Sequence, residues 1–305
     1  MNIVMTGASG LVGTALVKKL VSEGHTISRL QRPGSKKQDV GANGVADMPW
    51  TPGAEISSMA DAVINLAGAP IAEGRWTPER KALLRSSRVD TTRGLVNAIA
   101  KMEKRPRVMI SASAVGYYGD RGDELLTENS GPGRGFLADL AKEWEAEVIK
   151  AEALGVRVVR ARFGVILAKQ GGALPQMMKP FKVGLGGKLG SGRQWMSWVT
   201  LEDVVAILRR ALIDEGMSGA MNVVGPAPVT NAEFTKTLGK AMKRPAIFAA
   251  PAFVLRLAMG EMADGALLAS ERALPKRLDD QGYRFRHPDL PMALAAVLDG
   301  AGNVN

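Results

Sequence analysis

Asn2-Ile3-Val4-Met5-Thr6-Gly7-Ala8-Ser9-Gly10-Leu11-Val12-Gly13 opens the chain, and its reading decides the fold. The apolar run Ile3-Val4-Met5 reads as a buried strand. From Leu11 to Glu23, with Leu16, Leu20 and Val21 on one side, the spacing is that of an amphipathic helix. Between them, Thr6 to Gly13 fits T-G-x-x-G-x-x-G. Glycines let the turn fold tightly and bring free N–H groups at the helix N-terminus up to a pyrophosphate. A lone glycine pattern says little, but one set between a strand and a helix is specific. Thr6, Gly7, Ser9, Gly10, Leu11, Val12 and Gly13 are therefore candidate cofactor residues. The competing reading is an ordinary tight turn whose glycines serve packing.

Working outward, Gly24 closes the helix and His25–Leu30 reads as a second strand, ending Arg29-Leu30-Gln31-Arg32. NAD enzymes of this fold place an acid here against the ribose 2′-hydroxyl. This chain has none, and a guanidinium holds a 2′-phosphate bidentately. Gln31 and Arg32, with Arg29 as second choice, point to NADP(H); a solvated surface arginine is the alternative.

Further strands are expected at Ala60–Leu66, Arg107–Ser111 and Val156–Arg160, and helices from Thr77 to about Lys101 and over Phe136–Leu154. Strands alternating with helices imply an α/β fold, a doubly wound and mainly parallel Rossmann sheet. After Gly164 the texture becomes glycine-rich, then helical over Leu201–Leu212, Asn231–Met242, Pro251–Gly260 and Asp289–Leu298. The expected division is a dinucleotide domain at 1–165 to which 197–222 return, and a smaller substrate-side lobe from 166–196 and 223–305.

Composition narrows the function. With 305 residues, 46% of them hydrophobic, the chain has material for a sizeable core. It contains no cysteine, which excludes disulfides, thiolate nucleophiles and Cys-ligated metals. The net charge of +10 is scattered, without a dense basic run interleaved with aromatics, so an anionic small ligand and a solvated surface are favoured over nucleic acid. No signal peptide, membrane span or clustered metal-ligand set is read. The expectation is a cytoplasmic protein with a small-molecule substrate, no nucleic-acid or membrane partner, and scope for a homo-oligomer.

Several segments resemble the extended and atypical short-chain dehydrogenase/reductases. Asn65-Leu66-Ala67-Gly68 is similar to the superfamily's N-x-A-G element, and Ser111-Ala112-Ser113 with Tyr118-Gly119 to the S-S-S…V-Y-G segment of sugar-nucleotide epimerases. Arg75-Trp76, Gly184-Leu185-Gly186-Gly187, Ala273-Leu274-Pro275-Lys276-Arg277 and Gly282-Tyr283-Arg284-Phe285 narrow the likeness to the epimerase family proteins with a distinctive C-terminal domain. The resemblance implies that Leu66, Ala67, Gly68, Arg88 and the strand end near Val165 also touch the cofactor.

The superfamily's chemistry uses a Tyr and a Lys four residues apart on a helix, and the matching helix here, beginning Phe136-Leu137-Ala138-Asp139, holds no tyrosine. Acid–base work then falls to Ser113, Tyr117 and Tyr118, beyond the strand that ends beside the nicotinamide, unless these residues only shape the loop. Where sugar-nucleotide enzymes carry an arginine for the substrate diphosphate, this chain has Met196. Arg193, Trp195 and Trp198 are the candidate substrate residues, suiting a flatter, less charged ligand. Two functions stay open: an oxidoreductase or epimerase-like enzyme moving a hydride to or from a small carbonyl, alcohol or sugar-type substrate with unusual acid–base residues, or a catalytically silent NADP(H)-binding regulator or redox sensor.

Overall fold

A computed structural model describes residues 1–34, 44–56 and 59–300. Seven parallel strands form the central sheet: β1 (Asn2–Thr6), β2 (Thr26–Gln31), β3 (Val45–Pro49), β4 (Ala62–Asn65), β5 (Val108–Ala114), β6 (Arg157–Phe163) and β7 (Gly219–Val223). They lie in the order β3-β2-β1-β4-β5-β6-β7. The chain thus winds one way from β1 through β2 to β3, then returns past β1 and builds the other half. Ligands bind at the strand ends where such a sheet reverses, here outside β1 and β4.

The helices are α1 (Leu11–Ser22), α2 (Pro78–Ser86), α3 (Val89–Ala100), α4 (Phe136–Ile149), α5 (Ala173–Lys182), α6 (Leu201–Ile213), α7 (Asn231–Met242), α8 (Ala252–Met259), α9 (Lys276–Asp280) and α10 (Leu290–Asp299). Strand periodicity divides the core between two faces. Ile3 and Met5 of β1 point to one side, where Leu16 and Leu20 of α1 and Val204 and Leu208 of α6 cover them. Val4 points to the other side, into a layer with Leu95 and Ile99 of α3 and Val148 of α4. A third cluster, outside the sheet, joins Leu174, Phe181, Phe234, Leu238, Leu290 and Leu294 of α5, α7 and α10 around Trp198.

The structure differs from the sequence reading in several places, among them strand β7 and helices α5 and α9, which are not among the expected elements. The helix expected from Thr77 to Lys101 is two, broken at Ser87-Arg88. There the Ser87 hydroxyl donates to Leu84 O (3.1 Å) and accepts from the Ala69 N–H (3.1 Å), tying the break to the segment after β4. The helix begun at Phe136 stops at Ile149, and β5 and β6 run on to Ala114 and Phe163. Strand β3 is not among the expected strands. Val45-Ala46-Asp47-Met48-Pro49 lacks a clean apolar alternation, and its proline is tolerated because the strand lies at the sheet edge.

Candidate cofactor cleft and strand-exit loop

The three motif glycines have different reasons to be glycine. Gly7 has φ +67°, and a Cβ on it would lie 2.4 Å from the Leu66 carbonyl, so the turn could not close onto β4. A Cβ on Gly13 would lie 2.2 Å from Gly7 O. Gly10 is exposed, with φ −75°, and its added Cβ would approach only Gly7 O, at 3.3 Å. The backbone conformation does not require glycine at that position and the packing constraint is the mildest of the three; a ligand passing over it would add a stronger one. Gly10 starts α1 without a side-chain cap or a first-turn acid. As in any first helical turn, the N–H groups of Leu11, Val12 and Gly13 have no backbone acceptor among the described residues. Ser9 is exposed beside them. The Thr6 hydroxyl, in contrast, is buried and donates to Asn65 Oδ1 (2.7 Å), so its side chain joins β1 to β4.

At the end of β2, Arg29 is buried and its Nε donates to Asp47 Oδ1 on β3 (2.6 Å). Gln31 donates to the same oxygen (2.8 Å). Arg29 is therefore committed to the sheet and no longer a candidate for a 2′-phosphate. Asp47, for its part, does not stand free to meet a ribose hydroxyl. Arg32 is exposed and has no hydrogen bond or ion pair among the described residues.

Arg88 occupies the junction of α2 and α3. Its guanidinium lies against Gly68, where a Cβ would come within 2.9 Å of Cζ, and donates to Ala69 O (3.0 Å) and Leu84 O (3.2 Å). It has no carboxylate partner among the described residues. Burial, followed by the charge of Arg80, pushes it down to about 10. A cation lodged in the protein without a counter-ion suits an anionic ligand. Leu66 and Ala67 are half-buried on the same rim. Val165, past the end of β6, donates its N–H to Ser197 O (2.8 Å) and pairs with Trp198. The open Gly10, the free first-turn donors, Arg88 and Arg32 together fit a dinucleotide phosphate.

The strand-exit loop corrects the catalytic expectation. The Ser113 hydroxyl, 3% exposed, donates to Glu145 Oε1 of α4 (2.7 Å). Glu145 also receives Arg162 through Nε (2.7 Å) and Nη2 (2.8 Å), and Arg160 (2.9 Å). Arg162 donates to the Tyr118 hydroxyl (2.9 Å), which donates to Asn222 Oδ1 (2.6 Å). Tyr118 is 0% exposed, and burial raises its phenol above the ordinary range despite the Arg162 charge beside it. Burial alone would raise Glu145 as well, but Arg162, Ser113 and Arg160 outweigh it and hold the carboxyl below its usual range. Ser113 and Tyr118 thus cross-link α4, β5, β6 and β7, and neither presents a polar atom to a substrate. Tyr117 is different: it is half-buried, with the Arg162 guanidinium 3.6 Å from its ring centroid, and its hydroxyl has no protein partner among the described residues.

On the substrate side Trp198 is also corrected. It is 1% exposed in the core of the small lobe, its indole N–H donating to Ala227 O (2.9 Å). Trp195 is half-buried, donates to Asp123 Oδ1 (2.7 Å) and stacks under Arg272 (3.9 Å). Arg193 is exposed. Sequence reasoning missed Glu145 and Arg162, although both carried a signal. Glu145 falls on the helix face of Ala138 and Ala141, and Arg162 shares the face of the buried Val158 on β6; a charge there needs a partner.

Comparison with known proteins agrees with this architecture. Residues 3–225 match the model of the NAD dependent epimerase/dehydratase family, and 250–297 match a domain of unknown function (DUF1731). The chain belongs to the NAD dependent epimerase/dehydratase family. Among its relatives, epimerase family protein Mb2239 of Mycobacterium bovis is 42% identical over 297 residues, covering 96% of each chain. Epimerase family protein YfhF of Bacillus subtilis is 39% identical, covering 98% of each. The crystal structure of human epimerase family protein SDR39U1 (isoform2) with NADPH superposes with TM-score 0.88 at 30% identity, covering 98% of this chain and 99% of that one. A Thermus thermophilus UDP-glucose 4-epimerase in complex with NAD, 17% identical at TM-score 0.77 over 98% of each chain, shares the fold. No helix among the described residues is long and apolar enough to cross a membrane.

Proposed function

We propose that the chain is an NADP(H)-dependent oxidoreductase of the epimerase family, reducing or oxidising a small carbonyl, alcohol or sugar-type compound. The observation that carries the cofactor choice is the end of β2. Among the described residues Arg32 is free there, while Asp47 on the neighbouring strand β3 is already held by Arg29 and Gln31. A 2′-phosphate would find a cation and no opposing acid. The human relative whose structure contains NADPH supports the same choice.

In this reading the N–H groups of Leu11, Val12 and Gly13 hold the pyrophosphate, with Arg88 adding charge from the opposite rim. Thr6, Gly7 and Gly13 set the turn, Leu66, Ala67 and Gly68 flank the adenosine half, and Val165 borders the other half. Bound NADP(H) supplies or accepts the hydride; the protein orients the reactants, excludes water and moves the proton. Tyr117 and Trp195 line the substrate side. Titration calorimetry tests the cofactor choice: NADPH binds about tenfold tighter than NADH, and Arg32→Glu removes the preference while sparing NADH. Equal affinities in the wild type refute it.

One observation favours a second reading, a catalytically silent NADP(H)-binding regulator: Ser113 and Tyr118 are both spent on holding the sheet to α4. A panel of carbonyl and sugar-nucleotide substrates followed by NADPH absorbance separates the two. Turnover establishes the enzyme; tight NADPH binding with no turnover establishes the regulator.

A further inference from the structure

The segment Ser270–Ala273 runs between the strand-exit loop and the strand end at Trp195–Ser197, fastened to both. The Ser270 N–H donates to Asp120 Oδ1 (3.2 Å), its hydroxyl donates to Gly122 O (2.6 Å), and Arg272-Ala273 pair in parallel with Leu125-Leu126. On the other side the Glu271 N–H donates to Trp195 O (3.1 Å), while its carbonyl accepts from the Ser197 hydroxyl (2.7 Å). The backbone of Glu271 is thereby fixed.

Its side chain reaches the place where the exit of β5 meets the start of α4. From the point a Cβ would occupy on Gly116, Glu271 Oε1 is 3.8 Å away and Leu137 Cβ 3.4 Å. Two other carboxylates drawn into this half of the molecule are satisfied: Glu145 by two arginines and a serine, Glu128 by the N–H groups of Asn222 and Arg277. The Glu271 carboxyl has no hydrogen bond or ion pair among the described residues, yet the residue is not sealed from the surface. A carboxyl turned into this junction that takes up no protein donor among the described residues is open to a ligand entering from the surface.

We propose that Glu271, from the segment matched to the domain of unknown function, is the proton donor of the carbonyl-reducing site, standing where α4 begins without a tyrosine. The proposal rests on the oxidoreductase reading above. As the carbonyl carbon gains its hydride, the C=O π pair moves to oxygen, which takes the Glu271 proton; the carboxylate recovers a proton from water. The net change is carbonyl plus NADPH plus a proton giving alcohol plus NADP⁺. Burial, and then the Asp120 carboxylate, push Glu271 up to about 8. The group is therefore protonated at neutrality and loses its proton as pH rises through that value. Asp120 is the charged group that acts on it; Arg272 is stacked on Trp195, and Asp123 accepts the Trp195 indole N–H. A rim of this charge suits a carbonyl compound without a diphosphate.

The test joins a ligand-free measurement to kinetics. In protein with ¹³C-labelled glutamate carboxyls, one resonance titrates near pH 8, is absent from Glu271→Gln, and moves to lower pH in Asp120→Asn, which also serves if the Gln variant misfolds. Glu271→Gln lowers turnover roughly 10²-fold, leaves NADPH affinity within about threefold, and abolishes the fall in kcat/KM above about pH 8. An active wild type whose Glu271→Gln variant keeps its turnover, or whose Glu271 titrates in the ordinary carboxylate range, overturns the proposal and leaves the oxidoreductase reading standing. A wild type that binds NADPH but reduces no carbonyl overturns that reading, and the proposal with it.

Discussion

The edge of the sheet where the strands end has two halves built by opposite rules. At β1 and α1 the work falls to the backbone: glycines remove side chains, the helix start offers N–H groups, and packing leaves Gly10 uncovered. At β5 and β6 side chains carry the load, and residues expected to do chemistry are drawn into a buried network of Ser113, Glu145, Arg162, Tyr118 and Asn222. Backbone sites are spelled by spacing and survive being read one residue at a time. Side-chain sites depend on which partners the fold brings up, and the same Ser and Tyr serve as catalysts or as braces accordingly.

Substitutions on the two halves sharpen the contrast. The largest effect belongs to the brace. Glu145→Ala strands Arg162 in the interior and costs about 3–5 kcal/mol of stability, read as a fall in the urea midpoint. Next comes the backbone half: Gly10→Val weakens NADPH binding at least about 10²-fold, roughly 2.7 kcal/mol, while the melting temperature stays within a few degrees. A folded Gly10→Val protein with full affinity would place the cofactor elsewhere. The smallest change is Tyr118→Phe, which leaves Asn222 and Arg162 short of one hydrogen bond, for about 1–2 kcal/mol of stability. Turnover in this variant changes less than about threefold. A drop of about 10²-fold with stability intact would return Tyr118 to the chemistry and blur the distinction drawn between the halves.

What was legible in the sequence follows the same division. The first strand, the glycine turn and the amphipathic α1 were readable because each depends on neighbours within a few positions. So was α7, whose Thr230 and Glu233 close a reciprocal cap at its start. The fate of Trp198 was not readable, because core and cleft demand the same aromatic residue and only the packing of α5, α7 and α10 chooses between them. Glu271 escaped for another reason. Nothing near it in the sequence announces that its carboxyl will lie beside Gly116, far upstream, with no partner among the described residues.

The fastening of Ser270 to the strand-exit loop has a consequence for the life of the chain before it is finished. Ser270 and Asp120 are 150 residues apart in sequence. Contacts of that span carry the largest loop-closure cost and form late. On the ribosome, the glycine turn and its two flanking elements are contiguous and emerge together, whereas the strand-exit loop waits for a segment 150 residues downstream of Asp120. A nascent chain stalled short of residue 270 would hold the glycine turn complete and the strand-exit loop still unfastened.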